Sequence, residues 1–199
     1  MKIKNYYDEL EALLIREFVP VGYRITKHIE LDPIPESAKY QALIFSLNNK
    51  RIIYRKGKMT TDRPGAFLAI WKRSLALNIE HKNPIPFEDD ELDYLFIRVD
   101  EYSDDIDAKK PIHKLKSGMF IFPTSLLIKK GIVTSEKSKG KTGIRVFPPW
   151  TQDRGTIGTK VFSESGKNTQ RWQLPYFVEI NDGSIDSIQL NKIFESREY

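Results

Sequence analysis

Cysteine is absent from the whole 199-residue chain. Disulfide staples, thiolate metal sites and cysteine nucleophiles are thereby excluded, and a disulfide-free chain fits the cytosol. Histidine is scarce too. His28, His81 and His113 stand singly, without the His-x-His or His-x-x-x-His spacing of a zinc centre. No apolar run approaches the roughly 20 residues of a membrane-spanning helix. Met1-Lys2-Ile3-Lys4-Asn5 leads directly into an amphipathic acidic segment, with no signal-peptide core or cleavage site. Gly-x-Ser-x-Gly is missing, which removes the nucleophile elbow of that hydrolase type. Gly140-Lys141-Thr142 looks like the end of a phosphate-binding loop, but Ser135 stands where the motif needs its first glycine. A strand must also precede that motif and a helix follow it, and the expected order here is the reverse. These absences point to a soluble, cytoplasmic, bacterial-type protein with no membrane partner, no cofactor and no bound metal.

The apolar and charged fractions, 40% and 30%, suit an ordinary globular protein able to bury a core. The net charge of +5 permits a polyanionic partner without requiring one. Distribution says more than the total. Glu88 to Asp107 is strongly acidic and contains Arg98 as its one cation, whereas Lys109 to Arg171 returns to positive. The cations are therefore expected on part of the surface.

Tyr6, Tyr7, Leu10, Leu13, Leu14 and Phe18 recur at helical spacing, which predicts an N-terminal helix ending before Pro20. Tyr40–Leu47 and Arg51–Lys56 are β-rich runs joined by Asn48-Asn49, a hairpin signal because asparagine tolerates positive φ. Ala66–Trp71, Asp93–Val99, Gly118–Pro123, Ile144–Phe147 and Phe177–Ile180 read as further strands. Thr124 or Ser125 starts a short helix carrying Lys129 and Lys130 in its last turn, with Gly131 at its end. Ser135–Gly143 reads as a flexible basic loop, Ser165–Gln173 as a helix, and a helix follows the turn at Asn181-Asp182-Gly183-Ser184. No repeat or clean linker interrupts the chain. The simplest reading is one α+β domain over residues 1–199, with a mixed, mostly antiparallel sheet flanked by helices.

The densest functional signal is the interleaving of cations and aromatic rings from Lys50 to Arg73, taken with Gly143 to Trp150. Holding a polyanion with stackable rings needs that combination. Arg55, Lys56, Lys58, Arg63, Lys72, Arg73 and Arg145 are the candidate phosphate contacts, and Trp71 and Trp150 the candidate stacking rings. Arginine forks to phosphate and stacks on rings, whereas lysine acts as a point charge. On a strand over Ala66–Trp71, Phe67, Ala69 and Trp71 share one face, with Leu68, Ile70 and Lys72 on the other. Gly57 and Gly65 are expected to let a ligand backbone come close. Each tryptophan taken singly, Trp71, Trp150 or Trp172, is more often a core anchor than a stacking platform. It is the clustering that supports binding of DNA or RNA.

Two alternatives stand beside nucleic-acid binding. A metal-dependent phosphodiesterase needs converging carboxylates and a lysine. Glu80-His81-Lys82 and Asp107-Ala108-Lys109 have the right residue types but sit beside prolines, which leaves a degenerate set of Glu36, Asp93 and Lys58. A non-catalytic accessory that binds a small anion or a protein partner is the other, and a deep apolar pocket is its mark.

The chain resembles the MepB-like family of small bacterial proteins. The likeness rests on Ile53-Tyr54-Arg55-Lys56-Gly57-Lys58-Met59-Thr60-Thr61, Gly65 through Arg73, Gly118 through Pro123 and Gly131-Ile132. It continues in Arg145-Val146-Phe147-Pro148-Pro149-Trp150 and Gln170 through Phe177, and so spans Glu36 to Phe177. Thr61 departs from a Lys-x-Thr-Pro pattern, which removes a rigid turn but no charge. The resemblance implies a nuclease-like fold and a nucleic-acid-binding role.

Overall fold

A computed structural model describes residues 3–73, 83–102 and 113–195. The N-terminal amphipathic segment forms α1 (Ile3–Leu13), which widens into a π-turn at Leu14–Phe18 and tightens at Val19–Val21 before left-handed Gly22. Leu10, Leu13, Leu14 and Phe18 are buried, as their helical spacing predicts. Next comes β1 (Ile25–Leu31), a strand without a clear sequence signature. Two register irregularities break its alternation, and Ile29 alone of its residues is buried. The hairpin of β2 (Leu43–Leu47) and β3 (Lys50–Lys56) turns on Asn48 and Asn49, at φ 48° and 62°. Tyr40 falls outside it, in a 3-10 turn over Pro35–Tyr40.

The predicted strand Ala66–Trp71 divides between two sheets. After β4 (Lys58–Met59), β5 (Ala66–Ala69) ends where the Ile70 N–H donates to the Thr142 carbonyl. Trp71 then begins β6 (Trp71–Lys72), which pairs with β7 (Ile85–Pro86). The long strands β8 (Tyr94–Tyr102) and β9 (Lys114–Pro123) exceed their predicted lengths. Behind them lie α2 (Thr124–Lys129), the ribbon of β10 (Thr134–Ser135) and β11 (Ser138–Lys139), and β12 (Gly143–Val146). The loop expected over Ser135–Gly143 is thus partly strand. Its tail is held by the Lys141 N–H donating to the Ile132 carbonyl at 2.9 Å. α3 (Glu164–Gln173), β13 (Phe177–Asn181), β14 (Ser184–Ile185) and α4 (Ser187–Glu195) complete the chain.

The seven-stranded sheet has the order β1-β2-β3-β8-β9-β13-β14. β3 and β8 run parallel, and the other neighbours pair antiparallel. The fold is α+β on a mixed, mostly antiparallel sheet, as predicted. Strand alternation sends side chains to two separate cores. Ile52, Tyr54, Tyr94, Phe96, Met119 and Ile121 pack with the apolar stripes of α1 and α4. Ile53, Leu95, Ile97, Val99, Phe120 and Phe122 face the other way, against a three-stranded sheet of order β12-β5-β4. Leu68, Ile144 and Val146 fill the gap between the two sheets. Gly57 and Gly65 serve this packing. A Cβ on Gly57 would lie 3.0 Å from the Ala66 Cβ, and one on Gly65 would lie 2.6 Å from the Val146 carbonyl oxygen. Among the described residues no helix is long and apolar enough to cross a membrane.

Candidate functional site

Four of the nominated cations, Arg55, Lys56, Lys72 and Arg73, are engaged by acids distant in sequence, and Arg63 pairs with its neighbour Asp62. Arg55 points from β3 into the protein, 1% exposed, and its Nη2 lies 2.5 Å from Asp32 Oδ2. Burial pulls this guanidinium below its ordinary pKa, and Asp32 offsets part of that pull. Arg55 therefore drops out as a phosphate contact. An arginine next to a surface-forming lysine looks exposed in sequence, but the pleat turns it inward. Lys56 meets Asp100 at 2.6 Å and the Tyr102 hydroxyl at 3.1 Å. Lys72 is held between Glu88 and Glu91, at 3.2 and 2.7 Å. Arg73 pairs with Glu36 and covers the Trp71 ring, 5.2 Å from its centroid. Trp150 packs against Phe177 at 5.5 Å, with Lys116 6.0 Å from its centroid. Neither tryptophan is an open platform: both are half-buried.

Asp100 anchors the best-developed of these clusters. Burial would raise its pKa, but the Arg98 guanidinium, the Lys56 ammonium and the Ser117 hydroxyl outweigh burial and hold it far below the usual carboxylate range. The Tyr102 hydroxyl also donates to it, at 3.2 Å.

The three remaining cations, Lys58, Arg63 and Arg145, gather on the outer side of the small sheet. Arg145 on β12 and Lys58 on β4 lie opposite Phe67 on the central strand β5. Phe67 is 37% exposed. Its ring is 5.9 Å from the Arg145 guanidinium and 6.4 Å from Tyr40, which in turn lies 5.2 Å from the Lys58 ammonium. Arg145 Nη1 donates to Thr60 Oγ1 at 3.3 Å and to the Pro64 and Gly65 carbonyls, each at 3.1 Å. That fixes the guanidinium against the 60–65 loop, which carries Arg63 beside Asp62 at 3.7 Å. Burial and then the like charge of Arg63 lower the Arg145 pKa, with Asp62 opposing them.

Beside this row runs a cleft with two lobes, of about 450 and 470 Å³. Both lobes are walled by Arg145, Phe147, Ser163 and Gly166. Lys130, Lys141 and Trp172 line the first, and Arg63 lines the second. No described aspartate or glutamate lines either lobe. Gln173 holds the wall together: the Phe147 N–H donates to its Oε1 at 2.8 Å, and its Nε2 donates to the Arg145 carbonyl at 3.1 Å. The side-chain amide thus completes the free edge of β12 as a neighbouring strand would. Ser163 caps α3 by accepting from the Gly166 N–H at 3.2 Å.

Lys130 and Lys141 were not among the site residues read from the sequence. Lys130 appeared as a helix-end cation and Lys141 as part of a failed phosphate loop. The signal that finds them is the scarcity of acids around them, Glu136 being the single one between Lys114 and Arg145. The carboxylates of the phosphodiesterase reading lie on other partners: Glu36 on Arg73, and Asp93 on Arg51 at 3.4 Å. Glu80-His81-Lys82 and Asp107-Ala108-Lys109 lie outside the described residues. Among those described, no three acidic or histidine side chains group as a cation site.

A basic cleft with no described carboxylate on its walls thus sits on a mixed, mostly antiparallel α+β frame. A family model described as MepB-like matches residues 35–179, so the chain belongs to the MepB-like family. The crystal structure of MepB is similar, at 29% identity and a TM-score of 0.57, with 77% of this chain and 88% of that chain covered. No curated protein matches. The cleft and the Lys58–Phe67–Arg145 row lie entirely within the matched segment.

Proposed function

We propose that the protein binds nucleic acid along the β12 cleft. The observation that carries this reading is the cleft's charge: Arg63, Lys130, Lys141 and Arg145 converge there with no described carboxylate on its walls. A low-dielectric groove lined by one sign of charge focuses the field on a phosphate backbone. The guanidinium of Arg145 has fork geometry suited to phosphate, and its held Nη1 leaves Nη2 and Nε without a described partner. The Ser163 hydroxyl, which accepts from the Gly166 N–H, adds a neutral donor. Fluorescence anisotropy of a labelled oligonucleotide between about 50 and 200 mM salt tests it. Four contacts at about 0.7 each give a log–log slope near −3 on a single strand. A Lys141→Glu/Arg145→Ala variant is expected to lose most of the affinity. Absence of binding at low salt ends the proposal.

A second reading, an accessory that binds a small molecule, has one observation in its favour. A largely apolar cavity of about 620 Å³ opens on the second face of β2 and β3, lined by Ile34, Ile44, Ile53 and Phe87. Fluorescence gain by the neutral probe N-phenyl-1-naphthylamine, abolished in Ile44→Trp, supports it. A wild-type protein that leaves the probe dark removes it.

A further inference from the structure

The cleft accounts for phosphates but not for Phe67. This ring stands on the outer face of the central strand of β12-β5-β4, where a sheet facing water ordinarily carries polar side chains. Its inward neighbours on the same strand, Ala66 and Leu68, are fully buried, so the core does not call on it. Its cross-strand partners on both sides are cations, Arg145 and Lys58. The ring also lies over Gly143. A Cβ there would come within 2.8 Å of Phe67 Cζ, so the absence of a side chain at 143 lets the ring settle close to β12. Tyr40 meets it edge-on, with the rings 67° apart, and fixes its tilt.

With the Arg145 guanidinium over it at 5.9 Å and Lys58 on the other neighbouring strand, the ring offers its remaining exposed surface for stacking between two cations. Duplex DNA makes no use of that surface, because its bases are stacked on each other and show only their edges in the grooves. A base free of pairing stacks on an aromatic side chain while its own phosphates reach the neighbouring cations. We infer that the site takes unpaired nucleic acid, with one base stacked on Phe67 and its flanking phosphates at Arg145 and Lys58. This inference rests on the reading of the cleft as a nucleic-acid site. It adds a residue that the sequence analysis placed in the constellation but not among the contacts.

The test compares three fluorescein-labelled ligands by anisotropy: a thymidine oligonucleotide, an abasic oligomer of equal length, and a duplex of equal phosphate count. The thymidine strand is expected to bind more tightly than the abasic strand. Phe67→Ala is expected to weaken the thymidine strand at least about fivefold, down to the abasic level, leaving abasic and duplex affinities unchanged. Phe67→Leu, which keeps apolar bulk but lacks a π-face, is expected to behave like Phe67→Ala, and Phe67→Tyr to restore binding. A melting temperature for each variant confirms folding, and Phe67→Leu keeps the test usable if the alanine variant unfolds. Equal binding of thymidine and abasic strands, with no effect of Phe67→Leu, overturns the inference while the phosphate reading stands. No binding of any of the three overturns both.

Discussion

Among single residues, Arg55 and Arg145 show how similar neighbourhoods in sequence diverge in space. Both sit on strands beside apolar residues. Arg55 is buried and neutralised by Asp32, and Arg145 is half-buried with no carboxylate bonded to it. Asp32→Ala strands a buried guanidinium and is expected to destabilise the protein by about 3–5 kcal/mol in urea denaturation. Replacing Arg145 has a different signature. Arg145→Ala is expected to reduce the salt slope of oligonucleotide binding by about 0.7 for a single strand, whereas Lys72→Gln leaves it unchanged because Glu88 and Glu91 already hold that ammonium. A loss in Lys72→Gln equal to that in Arg145→Ala would extend the interface to β6.

At the level of elements, the small sheet is what builds the cleft, and two local devices keep it in place. Gln173 satisfies the Phe147 N–H and the Arg145 carbonyl from α3. Gln173→Leu leaves both groups without that partner and is expected to cost about 1–3 kcal/mol. Binding should weaken in parallel, since Arg145 rides on the same strand. Gly65 turns the chain into β5 at φ +74° with no room for a Cβ. Gly65→Ala is expected to lower stability by more than about 1 kcal/mol, read as a drop in melting temperature. The hairpin of β2 and β3 was legible because Asn48-Asn49 carries its own turn geometry. The division of Ala66–Trp71 was not, because a strand that changes sheets at Ile70 keeps an unbroken apolar run in sequence.

Across the whole molecule, the acids of Glu88–Glu101 act as counter-ions for cations of the 50–73 segment. Asp93 meets Arg51, Glu88 and Glu91 meet Lys72, and Asp100 meets Lys56. Among the described residues, Lys130, Lys141 and Arg145 are left without an ion-pair partner, and Arg63 keeps its neighbour Asp62 at 3.7 Å. The pairing also sets an acid dependence. The folded pKa of Asp100 lies below its unfolded value of about 3.9. Its contribution to stability is therefore complete above about pH 4 and is lost as pH falls through the folded value. Urea denaturation at neutral pH and below pH 4 is expected to show this loss in the wild type and less of it in Asp100→Asn. Equal acid sensitivity of the two proteins would show that Asp100 is not the group responsible.

By itself the chain's sequence determined what rests on composition and short-range pattern. Lack of cysteine closed off thiol chemistry. Period-two and period-3.6 apolar patterns settled an α+β frame with helices against a mostly antiparallel sheet, and the spacing of cations and rings marked two of the segments that line the cleft, those of Arg63 and of Gly143–Phe147. Which cations remain available was decided only by tertiary structure. Charge pairing depends on distance through space, and the partners of Arg55, Lys56 and Lys72 come from other strands and loops. The same holds for Phe67. Alternation places it opposite Leu68, but only the packing of Leu68 onto the main sheet makes its side the outer one.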